Sequence, residues 1–150
     1  MRSEVCISEW NSCRDGIKIG SRVFRVLLAE DDDAFRRLLA GALRRGGFEV
    51  IEARDGRELV DRLASLLPGA GPSDGMPIDL IVSDIRMPGI TGLDVLDKLR
   101  LADWATPVIL ITAFGDNATR AEAIRLGATM FDKPFDLSDL RTMALHLTGR

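Results

Sequence analysis

Apolar residues follow two rhythms along this chain. Short, mostly apolar runs recur at 24–29 (FRVLLA), 48–52, 78–83 (IDLIVS), 107–111 (PVILI) and 128–131. Each is too short for a helix and predicts a buried β-strand. Between them, apolar positions recur every three or four residues, as on one face of an α-helix. Over 33–45 that face carries Phe35, Leu38, Leu39, Ala42 and Leu43, and over 56–67 it carries Leu59, Leu63, Leu66 and Leu67. Thr91 is placed to cap a third helix with Leu93, Leu96 and Leu99 facing inward. A fourth helix is predicted over 116–126, and a fifth, capped by Asp136, carries Leu137, Leu140, Ala144 and Leu147. Gly46-Gly47 and Gly127 mark helix ends, and 68–77 (PGAGPSDGMP) reads as a loop.

The pattern is a strand followed by a helix, five times over. Apolar strands separated by amphipathic helices predict a parallel sheet covered on both faces. The 150 residues suffice for one domain of this kind. Residues 1–22 show no sustained period and are expected to be a weakly ordered extension, with the folded domain over 23–150. The net charge of -3 and the lack of a Lys/Arg cluster argue against direct nucleic-acid binding. No apolar run approaches a membrane span, and the N-terminal residues lack a secretory apolar stretch, so a cytoplasmic location is expected. Cys6 and Cys13 fit no common zinc spacing. The single histidine, His146, leaves little room for imidazole-based catalysis. It sits off the apolar stripe and is expected at the surface, and Trp104, before the fourth strand, is expected at the far end of the sheet from Asp84.

Ligands of open parallel sheets bind beyond the carboxyl ends of the strands. Glu30, Asp31, Asp32 and Asp33 follow the first strand, Asp84 the third, Thr112 the fourth and Lys133-Pro134 the fifth. Asp32 or Asp33 can serve simply to start the next helix. Two carboxylates ~4 Å apart repel by about 4 kcal/mol at an effective dielectric near 20. Acids gathered at one sheet edge therefore call for protonation or a cation, and oxygen ligands without His or Cys suit Mg²⁺. A carboxylate such as Asp84 can act as a nucleophile and form an aspartyl phosphate. Lysine is scarce, 3 against 17 arginines, which adds weight to Lys133 at a strand end.

The segments VLLAEDD (26–32), LIVSDIRMPGITGLDVL (80–96), VILITAFGD (108–116) and FDKPFDLSDL (131–140) resemble the receiver domain of two-component response regulators. The resemblance runs from residue 24 to about 148. It implies a flavodoxin-like doubly wound sheet in strand order 2-1-3-4-5. It also implies Mg²⁺ held by Glu30, Asp31, Asp84 and the backbone carbonyl of Arg86. Asp84 would be the phosphoacceptor, with Thr112 and Lys133 contacting the phosphoryl group, and the Lys133–Pro134 bond would be cis. Met130 occupies the place of the family's usual switch aromatic, and Phe131 stands one residue nearer the lysine.

The expected function is phosphorelay signalling. A sensor histidine kinase or histidine phosphotransfer protein would donate to Asp84, in a signalling domain rather than an enzyme. Output would pass by protein contact through the face of the fourth helix, fifth strand and fifth helix, to a downstream protein or a second copy. One alternative is a degenerate receiver that binds partners without phosphorylation. Another is a haloacid-dehalogenase-type phosphatase, which would want an acid where Arg86 stands. A flavodoxin-type FMN module would want a Ser/Thr/Gly-rich loop where 30–33 is acidic.

Overall fold

The computed structural model describes residues 23–65, 78–113 and 115–149. The expectations for 1–22, Cys6, Cys13, Leu66, Leu67 and the loop at 68–77 lie outside these residues. The elements alternate as predicted: β1 (Arg25–Ala29), α1 (Asp33–Arg45), β2 (Glu49–Ala53), α2 (Gly56–Ala64), β3 (Leu80–Asp84), α3 (Gly92–Leu101), β4 (Val108–Thr112), α4 (Asn117–Arg125), β5 (Thr129–Asp132) and α5 (Leu137–Leu147). The five strands form one parallel sheet in the order β2-β1-β3-β4-β5. This is the expected doubly wound arrangement, and its switch point lies between β1 and β3.

Strand alternation divides the core into two layers. Leu27, Ile81 and Leu110 face α2, α3 and α4, where they meet Leu59, Leu63, Leu96, Leu99 and Ala123. Val26, Leu28, Val82, Ile109 and Ile111 face α1 and α5, where they meet Leu39, Leu43, Leu140 and Ala144. The central strands β3 and β4 are buried throughout, which accounts for their apolar runs up to the polar residues at their C-terminal ends.

The helix starts follow short polar caps. Asp32, not Asp33, caps α1 by accepting from the Phe35 amide. Thr91 and Asp94 form a reciprocal capping box on α3. Asp136 occupies the N-cap position of α5, but its side chain makes no capping bond, contrary to expectation. A second departure is Leu38, expected inward but 57% exposed. The inward face of α1 instead takes Arg36, which is 8% exposed. Trp104 packs against the α2–α3 layer, just before β4 and at the opposite edge from Asp84, as anticipated. His146 is exposed on α5, also as anticipated.

One glycine holds the loop ahead of α3 close to α2. A Cβ on Gly56 would lie 2.1 Å from the Ile90 carbonyl oxygen, so any side chain there must displace backbone. Gly56→Ala is expected to lower unfolding stability by about 2 kcal/mol, an overpacking cost read by urea denaturation.

Candidate functional site

The C-terminal ends of β1 and β3 flank the switch point and deliver the acids. Glu30 leaves β1 with its amide bonded to the Ala53 carbonyl, 3.1 Å away, which keeps its backbone in sheet geometry. Its side chain turns inward and is only 1% exposed. Asp84 ends β3 and is 5% exposed. Gly92 opens α3 directly beside it, where a Cβ would stand 2.6 Å from the Asp84 carbonyl oxygen and 3.0 Å from Ser83 Oγ. Only glycine lets α3 approach this strand end so closely. The Arg86 amide donates to Asp84 Oδ1 at 3.1 Å.

β5 brings the cation. The Lys133 amide donates to the Thr112 carbonyl at 2.8 Å, which extends the β4–β5 ladder past its last paired residues. The Lys133 ammonium reaches Asp84 Oδ2 at 2.9 Å and stands 3.6 Å from Glu30 Oε1. The Lys133–Pro134 bond is cis, as the resemblance implied. One carboxylate oxygen from each of Glu30, Asp31 and Asp84 lies within 4.8 Å of the other two. The structure thus gathers Glu30, Asp31, Asp84 and Lys133 in one place, with Thr112 buried at the end of β4 alongside.

The charges are unevenly satisfied. Glu30 Oε2 accepts from the Asp32 amide at 3.1 Å, whereas the buried Oε1 has no hydrogen-bond partner. Burial raises the Glu30 carboxyl from its ordinary 4.5 to about 7, and the adjacent Asp84 carboxyl adds to the rise. For Lys133, burial alone would lower the pKa. The hydrogen bond and charge of Asp84, helped by Glu30, outweigh that and hold the ammonium above its ordinary value. A buried carboxylate oxygen without a hydrogen bond, grouped with two further acids, is what an oxygen-preferring divalent cation would complete, so these residues fit Mg²⁺.

Some participants were not singled out in the sequence. Arg36 donates to the Glu30 carbonyl at 2.9 Å and to Glu52 Oε1 at 3.1 Å, and it pairs with Asp33 at 2.7 Å. It therefore braces the backbone of the acid pair from below. Phe35, expected only as core, has its ring 4.8 Å from the Lys133 ammonium. Asp132 pairs with Arg120 at 2.7 Å on the α4 side. Met130 packs in the layer of α2, α3 and α4, and Phe131 in that of α1 and α5. Strand alternation puts Thr112 on the side of Leu110, so Met130, the register partner of Leu110, shares the face of Thr112 and Phe131 does not.

Fold and pocket together define a flavodoxin-like α/β domain with an acid-rich, lysine-closed cleft at its switch point. The family model for the response regulator receiver domain matches residues 26–145, and the chain belongs to this family of two-component signalling domains. Over 119 residues it is 39% identical to the regulatory protein AtoC of Escherichia coli (strain K12), covering 77% of this chain and 23% of AtoC. Over 118 residues it is 29% identical to sporulation initiation phosphotransferase F of Bacillus subtilis (strain 168), covering 78% of this chain and 87% of that protein. The chain thus spans only a minor part of AtoC, but most of the phosphotransferase. Among solved structures it resembles the receiver domain of the Francisella response regulator 1452, with a TM-score of 0.72 and 26% identity over 84% of this chain and 97% of that one. Among the described residues, no helix is long and apolar enough to cross a membrane.

Proposed function

We propose that Asp84 is the phosphoacceptor of this receiver domain. A phosphohistidine on a sensor histidine kinase or histidine phosphotransfer protein donates to it in the cytoplasm. The P–N bond to the histidine breaks, a P–O bond to the Asp84 carboxylate forms, and the imidazole leaves with the electron pair. Glu30, Asp31, Asp84 and the backbone carbonyl of Arg86 would hold Mg²⁺, which when bound neutralises phosphoryl oxygens. Lys133 supplies a fixed positive charge to the same oxygens, and the Thr112 hydroxyl is a donor for one of them. The Arg86 amide keeps the Asp84 carboxylate oriented for attack. The folded unit over 23–150 then signals through the face of α4, β5 and α5, to a downstream protein or a second copy.

The observation that carries this reading is the pairing of a nearly buried Asp84 with Lys133 at 2.9 Å, beside a buried Glu30 oxygen without a donor. A site built only for structure would give that buried oxygen a hydrogen bond and not just the Lys133 ammonium at 3.6 Å. The test is intact mass after incubation with acetyl phosphate. One phosphoryl group is expected with Mg²⁺ and none in EDTA, and peptide mapping is expected to place it on Asp84. An unmodified protein under both conditions would overturn the proposal.

A further inference from the structure

We infer that Phe35 is a positioning residue for Lys133, fixing the ammonium over the acid pocket through a cation–π contact. The inference rests on the functional reading above and adds a residue that the motifs of the site do not contain.

Lys133 carries its charge on a flexible four-carbon stem, and its side chain is 28% exposed. In the resting protein Asp84 holds the ammonium on one side at 2.9 Å. On another side the Phe35 ring stands 4.8 Å away, within the range of cation–π attraction. These two contacts differ in what happens to them during transfer. Once Asp84 carries a phosphoryl group, its free carboxylate no longer presents the same oxygens to the ammonium. The Phe35 ring is untouched by that change and can hold Lys133 in place before and after.

The ring is itself well supported. Phe35 meets Phe135 edge-to-face at 6.1 Å, and Phe135 meets Phe131 edge-to-face at 5.1 Å. Such pairs favour one relative orientation over others. Phe35 is on α1, Phe131 on β5 and Phe135 just past the cis peptide, so three separate segments fix the ring. A purely core role would bury Phe35 fully, yet it is only partly buried.

The experiment compares Phe35→Leu, which keeps an apolar side chain of similar reach, with Phe35→Tyr, which keeps the aromatic face. The first readout is the proton shift of the Lys133 ε-methylene. A ring-current displacement is expected in wild type and Phe35→Tyr, and its loss in Phe35→Leu. The second is binding of beryllofluoride, a phosphoryl mimic, and of Mg²⁺ alone. Phe35→Leu is expected to weaken beryllofluoride binding about fivefold (~1 kcal/mol) and to leave Mg²⁺ affinity unchanged. Phe35→Tyr is expected to restore wild-type binding. Equal lysine shifts in all three proteins, or equal weakening by Leu and Tyr, would overturn the inference. The shift comparison needs no phosphoryl transfer, so it decides the role of Phe35 even if Asp84 proves not to be the acceptor.

Discussion

Asp84→Asn is expected to abolish phosphoryl uptake and, in the same protein, to leave metal-free stability at neutral pH unchanged to within about 1 kcal/mol. The first effect follows from the nucleophile: an amide cannot form the acyl phosphate. The second follows from the charges around it. Asp84 faces two carboxylates, Glu30 and Asp31, within 4.8 Å and one ammonium, Lys133, at 2.9 Å, so repulsion and attraction on its charge nearly offset each other. At separations near 4–5 Å each repulsion is worth roughly 3–4 kcal/mol at an effective dielectric near 20, and the Lys133 attraction at 2.9 Å is worth roughly 6 kcal/mol. Removing the charge deletes two repulsions and one attraction. The exposure of Asp31 screens part of this. Lys133 loses its nearer partner but retains Glu30 at 3.6 Å. Intact mass with acetyl phosphate and Mg²⁺ reads the first effect, and urea unfolding in EDTA reads the second. Undiminished uptake would move the acceptor to another residue. A loss of more than about 2 kcal/mol would mean that the Asp84–Lys133 pair outweighs the repulsion it opposes.

Loss of activity without loss of stability marks a residue kept for function and not for the fold. The same logic explains what could be read from the chain beforehand. Glu30, Asp31, Asp84, Thr112 and Lys133 were legible because a parallel sheet brings its strand ends to one edge, and strand ends can be found from apolar runs. The contacts that brace them were not. Arg36 looks like a solvent residue by composition, yet its guanidinium finds acceptors on Glu30, Glu52 and Asp33 only by turning inward. Arg36 is buried while Leu38 is exposed, so an amphipathic count misplaced Leu38 and passed over Arg36. The split between Met130 and Phe131 likewise depends on the β4–β5 register, which pairs Leu110 with Met130 and Ile111 with Phe131. No local pattern reveals that register, nor the meeting of Phe35 with Lys133 across α1 and β5.

Glu30 gives the other large effect, a stability that falls with rising pH until a cation is supplied. Its carboxyl is ordinary, 4.5, in the unfolded chain and raised to about 7 in the folded one, first by burial. Below 4.5 both forms are protonated and Glu30 contributes no difference. Between 4.5 and 7 the unfolded chain has released its proton while the folded chain keeps it, so folding is favoured less as pH rises. Above 7 the full penalty is present, on the order of 3 kcal/mol. Asp33, Asp116 and Glu122 are shifted the other way, by Arg36, by the Thr119 amide and by Arg125 respectively. Their contributions are lost only on acidification below the ordinary carboxylate range, so among the described residues the window from 4.5 to 7 isolates Glu30. In EDTA, wild-type stability is expected to decline across that window, and Glu30→Gln is expected to remove most of the decline. Gln retains an oxygen to accept from the Asp32 amide, so the variant tests the charge and not the fold. Adding Mg²⁺ near pH 8 is expected to restore wild-type stability by mass action and to stabilise Glu30→Gln much less. Parallel pH curves for the two proteins in EDTA would show that the buried carboxyl is not the source. Equal stabilisation of both by Mg²⁺ would place the cation away from Glu30.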